Sequence, residues 1–200
     1  MFYSFARACC MVLIRILFSV EVTGRENVPK GQGFMLVANH RSNFDPLFVA
    51  AGVKQQICFM AKAELFHNPL LGWLIKCLGA FPVERGKGDS GAIEWAEGIV
   101  QAGKVLGMFP EGTRSPDGKL LRAKSGAAMI AMQTHTDVLP CAVCYEGKLR
   151  FRMKLSIRYG KLLHFEELGF TPGANSPREI KEASRRMMEQ IAGLMGKEVV

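Results

Sequence analysis

The chain has 200 residues, which is the size of one domain with a single sizeable core. Hydrophobic residues make up 48% and charged residues 22%, so the composition excludes a disordered chain and a bundle of membrane spans. The formal net charge of +8 suits nucleic acid, anionic lipid headgroups or a phosphorylated substrate, and charge alone does not choose among them.

The first twenty residues predict an amphipathic helix. Arg15 lies inside the apolar run and no small-residue cleavage site follows it, so the segment is neither a signal peptide nor a typical membrane span. The pattern favours a helix in a membrane interface with its arginines at the headgroups, and the alternative is a helix packed on the protein's own core. We expect this helix over residues 1–20 and a single domain over 21–200. The polar face holds Ser4, Arg7, Arg15 and Ser19, and the apolar face holds Phe2, Phe5, Leu13, Ile16 and Leu17.

From residue 21 onward, short apolar runs alternate with longer segments of helical character. Strands that alternate with helices predict an α/β fold, with a largely parallel central sheet flanked by helices. A helix is expected to begin at Asp45-Pro46, with Asp45 as its N-cap. The other predicted helices cover 68–79, 89–103, 124–135 and 176–196, and the predicted strands cover 33–39, 56–61, 104–109, 138–145 and 149–160.

The polar stretch NHRSNFDP follows the first predicted strand and contains a possible catalytic pair. If the turn folds back, the Asp45 carboxylate can reach a ring nitrogen of His40 and leave the other nitrogen free to accept a proton. No serine or cysteine is placed as a nucleophile, so the proton would come from a substrate hydroxyl. On this motif alone, a helix cap beside a polar turn residue explains the pattern equally well.

Two further turns carry basic residues. In FPEGTRS, Gly112 lets backbone N–H groups approach an anion, while Thr113 and Arg114 add a hydroxyl and a guanidinium. Glu111 would repel a phosphate, so we expect it to hold an arginine or a substrate hydroxyl. The turn FPVERGKGD contains Arg85, and by itself it is a weak signal. Each of these segments also fits an ordinary surface turn.

The four blocks NHRSNFDP, FPVER, FPEGTRS and VLPCAV together resemble the glycerolipid acyltransferases similar to 1-acyl-sn-glycerol-3-phosphate acyltransferase. They occur in the order and at the spacing of that family, over roughly residues 21–160. The segments AKAELFHNPLLGW and KSG also look like the family's connecting segments. The second block ends in Val-Glu-Arg where many relatives have Ile/Val-Asp-Arg.

The resemblance implies a function and a set of site residues. By matching position, His40 removes a proton from the acceptor hydroxyl and Asp45 orients His40. The hydroxyl attacks the thioester of acyl-CoA or acyl carrier protein, and no metal, cofactor or covalent acyl-enzyme is required. We expect backbone N–H groups near the His40 turn to stabilise the oxyanion. The residues implied to hold the glycerol phosphate are Arg85, Glu111, Gly112, Thr113 and Arg114.

The leading hypothesis is an enzyme of phospholipid biosynthesis that makes phosphatidic acid from lysophosphatidic acid at the cytoplasmic face of a membrane. Glycerol 3-phosphate or another lysophospholipid is the alternative acceptor. A metal-dependent phosphoesterase is disfavoured because no acidic cluster accompanies His40 and Asp45. A membrane-binding module without activity would not need that pair, and no nucleic-acid-binding motif is present.

Overall fold

The strands of the central sheet are β1 (Ser19–Thr23), β2 (Phe34–Ala38), β3 (Ile57–Lys62), β4 (Phe81–Val83), β5 (Val105–Met108), β6 (Val138–Cys144) and β7 (Lys154–Tyr159). Their order across the sheet is β1-β7-β6-β2-β5-β3-β4. In the computed structural model, which describes residues 2–83, 90–171, 173 and 176–196, every neighbouring pair is parallel except β6 and β7. The fold is therefore the predicted α/β class with a largely parallel sheet.

Helices cover both faces of this sheet, and each predicted helix is present within a few residues of its expected bounds. The short strands β1 and β4 were not predicted, because one was read as the end of the N-terminal helix and the other as part of a basic turn. The helices are α1 (Phe2–Leu17), α2 (Asp45–Val49), α3 (Pro69–Cys77), α4 (Ser90–Gln101), α5 (Gly126–Thr134) and α6 (Pro177–Met195).

Strand β2 shows why the chain adopts a sheet covered on two sides. Its five residues are all buried, and neighbouring side chains of a strand point to opposite faces. Phe34 and Leu36 join one hydrophobic cluster, which also receives Ile14 of α1 and Phe48 of α2. The intervening side chains join the other cluster, which is covered by α4, α5 and α6.

The N-terminal helix α1 contacts the domain through one face and exposes the other. Ile14 is buried in the core, and the Arg7 guanidinium donates to the carbonyls of Ala50 at 3.0 Å and Ala51 at 3.4 Å. The expectation that Arg7 points to lipid headgroups is therefore wrong, since its side chain turns inward to cap the end of α2. No helix among the described residues has the length and hydropathy needed to cross a bilayer.

The predicted strand 149–160 is shorter than expected. Pairing in β7 begins only at Lys154, because Arg152 takes a left-handed conformation with φ of 61° and Met153 turns back to Arg150. The predicted boundary between the N-terminal helix and the domain also shifts. Strand β1 begins at Ser19 and pairs with β7, so it includes the last two residues of the segment 1–20.

Tyr159 joins β7 to the end of α2 and gives a test of this packing. Its hydroxyl donates to the Val49 carbonyl at 2.7 Å and accepts from the Gly52 N–H at 2.8 Å. We expect Tyr159→Phe to lower the free energy of unfolding by about 1–3 kcal/mol, because two buried backbone groups lose their partner. Denaturant titration measures this. Tyr145→Phe is the control, and equal unfolding midpoints for the two variants would contradict the assignment.

Candidate active site

His40 and Asp45 meet at the carboxyl end of β2. The Nδ1 atom of His40 lies 2.8 Å from Oδ2 of Asp45, which is fully buried, while the His40 side chain is 16% exposed. An ionised carboxylate only accepts hydrogen bonds, so Nδ1 donates and Nε2 keeps a free lone pair. This geometry allows Nε2 to accept a proton from a bound hydroxyl.

Asp45 holds the turn that precedes it. It is the first residue of α2, and the N-cap position belongs to Phe44, so the prediction of Asp45 as N-cap is corrected. The same Oδ2 atom accepts the backbone N–H groups of Arg41 at 2.5 Å and Ser42 at 2.7 Å. The chain folds back because one carboxylate oxygen satisfies two amides and the imidazole. The spacing of five residues between His40 and Asp45 thus closes a loop around that oxygen.

Glu111 fixes the backbone of His40 from the neighbouring strand end. Its side chain is buried, Oε1 accepts the His40 N–H at 2.6 Å, and Oε2 accepts the Leu121 N–H at 2.8 Å. We expected this carboxylate to hold an arginine or a substrate hydroxyl, and it holds backbone amides instead. Burial raises the pKa of the Glu111 carboxyl, although the two N–H groups act in the opposite direction. The same turn also holds the carbonyl of His40, which accepts the Ser115 N–H at 2.8 Å.

Three successive backbone N–H groups of the His40 turn are engaged. Those of His40, Arg41 and Ser42 donate to the carboxylates of Glu111 and Asp45. These three are therefore not free to stabilise an oxyanion, and the expected role stays a prediction for other N–H groups near the turn. The turn uses these amides to hold its own shape.

Two residues that support His40 were not singled out from the sequence. Asn39 is buried, and its side chain extends the β2–β6 pairing. Its Nδ2 donates to the Val143 carbonyl at 3.0 Å, and its Oδ1 accepts the Val143 N–H at 2.8 Å. The Phe109 ring stacks on the His40 ring with centroids 4.1 Å apart, and Phe59 stacks behind it. An asparagine at the end of an apolar run and an aromatic residue before Pro110 were the available signals.

The turn after β5 presents the remaining predicted binding residues. Gly112 has φ of +66°, a conformation that favours glycine, and an added Cβ would lie 2.7 Å from Cδ of Lys124. Thr113 and Arg114 are exposed beside it. Arg85 lies outside the described residues. Among the described residues, no group of three or more His, Cys, Asp or Glu side chains is arranged to hold a metal ion.

A comparison with family models matches residues 19–144 to the acyltransferase model, which covers more than half of the chain and all of the geometry described above. The chain belongs to the acyltransferase family. The matched segment of this acyltransferase includes His40, Asp45 and the turn from Glu111 to Arg114.

Three relatives of this acyltransferase, two found by sequence and one by structure, are named for the same activity. It is 28% identical to the 1-acyl-sn-glycerol-3-phosphate acyltransferase of Bacillus subtilis, over 94% of this chain and 96% of the relative. It is 32% identical to the enzyme of that name from Streptococcus pneumoniae, over 78% of this chain and 58% of the relative. The crystal structure of the 1-acyl-sn-glycerophosphate acyltransferase from Thermotoga maritima superposes with a TM-score of 0.71 at 27% identity, over 96% of this chain and 76% of that one.

The buried position of Glu111 gives a prediction about its role. We expect Glu111→Ala to lower the free energy of unfolding by about 2–4 kcal/mol, because the N–H groups of His40 and Leu121 lose their acceptor. Denaturant titration measures the change, with Glu97→Ala on the exposed side of α4 as the control. A stability equal to that of the control variant would show that the carboxylate does not hold the turn.

Proposed function

We propose that this acyltransferase moves a fatty acyl group from acyl-CoA or acyl carrier protein to the free hydroxyl of 1-acylglycerol 3-phosphate, giving phosphatidic acid. The observation that carries the proposal is the contact of 2.8 Å between His40 and the buried Asp45 at the end of β2. The names of the relatives support the choice of acceptor. In that role the protein acts in phospholipid biosynthesis.

The proposed reaction is a direct transfer. Nε2 of His40 takes the proton as the acceptor oxygen attacks the thioester carbonyl carbon, forming a C–O bond and a tetrahedral oxyanion. The intermediate collapses by breaking the C–S bond, and the proton on His40 passes to the departing thiolate. Asp45 stabilises the imidazolium while it exists and keeps Nδ1 protonated throughout.

We assign the acceptor phosphate to the turn after β5. Arg114 offers a guanidinium that can bind two phosphate oxygens, and Thr113 exposes a hydroxyl next to it. Gly112 shapes the turn, and its own N–H donates to the Phe109 carbonyl at 2.9 Å. Arg85 follows β4 in the chain, and the family resemblance assigns it to the same phosphate. Glu111 contributes indirectly, because its carboxylate holds the backbone N–H groups of His40 and Leu121.

His40→Ala tests the base. We expect acyl transfer to fall by about 10²–10⁴-fold with an unchanged fold, because the proton acceptor is lost from a partly exposed position. The matched control is His164→Ala. Like His40, His164 has an aspartate beside its Nδ1 atom, since Asp137, just before β6, lies 3.1 Å away. Initial rates with radiolabelled acyl-CoA and lysophosphatidate compare the variants. A His40→Ala rate near that of the control would exclude this mechanism.

The outward face of α1 supports attachment to a membrane surface. Phe5, Val12, Leu13 and Ile16 are between 54% and 70% exposed and lie on the side of the helix that faces away from the core. We propose that this face enters the interface of the bilayer that contains the lipid acceptor. Cytoplasmic attachment suits the six cysteines, none of which forms a disulfide in the described part of the chain.

A second exposed apolar patch lies on α3. Leu70 is 76% exposed, Trp73 57% and Leu74 42%. β3 and β4 are parallel neighbours, and connections between parallel strands are right-handed in nearly all proteins, so we infer that α3 lies on the side of the sheet that α1 and α2 cover. The exposed apolar patches of α1 and α3 then lie on one side of the sheet, which favours a membrane surface that runs along that side of the domain.

Replacing two side chains on α1 tests this attachment. We expect Leu13→Gln combined with Ile16→Gln to reduce binding to phosphatidylglycerol-containing vesicles at least tenfold, because each aliphatic side chain contributes about 1.5–3 kcal/mol when fully buried. Trp95→Gln is the control, since Trp95 is 63% exposed on α4 at the opposite side of the sheet. Vesicle sedimentation measures the binding. Equal binding by the double variant and the control would place the membrane contact elsewhere.

A further inference from the structure

A cavity of about 230 Å³ opens beside the catalytic pair, on the β6 side of β2. It forms where the turn after β2, the turn after β5 and the connection from β6 to β7 come together. Its volume is below the ~300–1,000 Å³ of sites that enclose a whole drug-sized ligand, so it fits one polar group of a larger molecule. The residues that line it include Arg41, Ser42, Ser115, Tyr145, Lys148 and Leu149.

Arg41 supplies a fixed positive charge to this cavity. Its guanidinium lies 4.0 Å from the centre of the Tyr145 ring and donates to the carbonyls of Tyr145 and Gly147. On the other side, an added Cβ at Gly118 would lie only 2.4 Å from Nη2 of Arg41. No carboxylate of a described residue forms a salt bridge with the guanidinium, so its charge is held in place without being neutralised.

Lys148 and Ser42 complete a set of donors suited to a phosphate. Lys148 is exposed at the cavity and forms no salt bridge with a described residue. The Ser42 hydroxyl accepts the Phe44 N–H at 3.1 Å, which leaves its own hydrogen available to a ligand. The nearby Asp117 carboxylate is occupied by the Ser115 hydroxyl and the Lys119 N–H, each at 3.1 Å. Two cations and a hydroxyl around a small cavity favour an anion with several oxygens.

The strand order indicates which substrate brings that anion. His40 follows β2, which lies between β5 and β6 in the sheet. The turn of Gly112 to Arg114, assigned above to the acceptor phosphate, follows β5, whereas Lys148 lies beyond β6. We propose that the cavity binds the phosphate of the phosphopantetheine arm of the acyl donor, which acyl-CoA and acyl carrier protein share. The donor and acceptor phosphates are then held by different segments around His40, with Ser115 and Pro116 of the turn after β5 also lining the cavity. This assignment rests on the proposed acyl transfer.

The test compares thioester donors with and without that phosphate. For Lys148→Ala, we expect the KM for acyl-phosphopantetheine and acyl-CoA to rise about two- to fivefold, the range for one exposed charge contact. The KM for an acyl-N-acetylcysteamine thioester, which lacks phosphate, should not change, and neither should the acceptor KM. Lys161→Ala at another exposed position is the matched control, and Lys148→Arg should restore part of the donor affinity.

Arg114→Ala provides the reciprocal arm, because it should raise the acceptor KM and leave the donor KM unchanged. A rise in the acceptor KM for Lys148→Ala would overturn the assignment to the donor. An equal rise with the phosphate-free donor would show that Lys148 does not contact phosphate. Either result leaves the proposed acyl transfer standing.

Binding of CoA without turnover separates this inference from the proposed function. Calorimetric titration of the full chain with CoA should show weaker binding for Lys148→Glu than for Lys161→Glu, whether or not any acyl group is transferred. Glycerol 3-phosphate should not compete with CoA at the cavity. Equal CoA affinity for the two variants, or competition by glycerol 3-phosphate that Lys148→Glu abolishes, would overturn the proposal.

Discussion

The Oδ2 atom of Asp45 is the point on which the site depends. This buried oxygen receives the His40 ring and the backbone N–H groups of Arg41 and Ser42, so it sets the shape of the turn and the orientation of the imidazole together. The other carboxylate oxygen, Oδ1, is buried without a hydrogen-bond partner among the described residues. The three donors on Oδ2 therefore supply the stabilisation that a buried charge requires. A substitution here changes the backbone as well as the chemistry.

The parallel sheet brings separate parts of the chain to this point. Strands β2, β5 and β6 end at the same edge, so their following turns meet around His40. Glu111 from the turn after β5 holds the His40 N–H, and Asn39 pairs with Val143 of β6. The imidazole is thus held from both neighbouring strands. The apolar side of the domain, with α1 and α3, adds the proposed contact with lipid.

The sequence predicts the fold class and most helices well, because β2 and its neighbours are continuous apolar runs bounded by Asp, Asn, Pro and Gly. It also predicts the contact of His40 with Asp45, since turn residues between them allow the chain to fold back. It does not predict the partners of Glu111, because the choice between a substrate and a backbone amide depends on how β5 packs beside β2. The direction of Arg7 is missed for a similar reason, since the carbonyls of Ala50 and Ala51 come from a distant segment.

The tautomer of His40 tests the central claim most directly. The account predicts a neutral imidazole with the proton on Nδ1 and a free Nε2, because the Asp45 carboxylate can only accept. Long-range ¹H–¹⁵N correlation spectra of ¹⁵N-histidine-labelled protein report which ring nitrogen carries the proton, at a pH where the rings are neutral. The His40 signal is the one of the four histidine signals that disappears in His40→Gln. A proton on Nδ1 that loses its preference in Asp45→Asn supports the account. A proton on Nε2 in the unsubstituted protein would contradict it, because that nitrogen could not then act as the base.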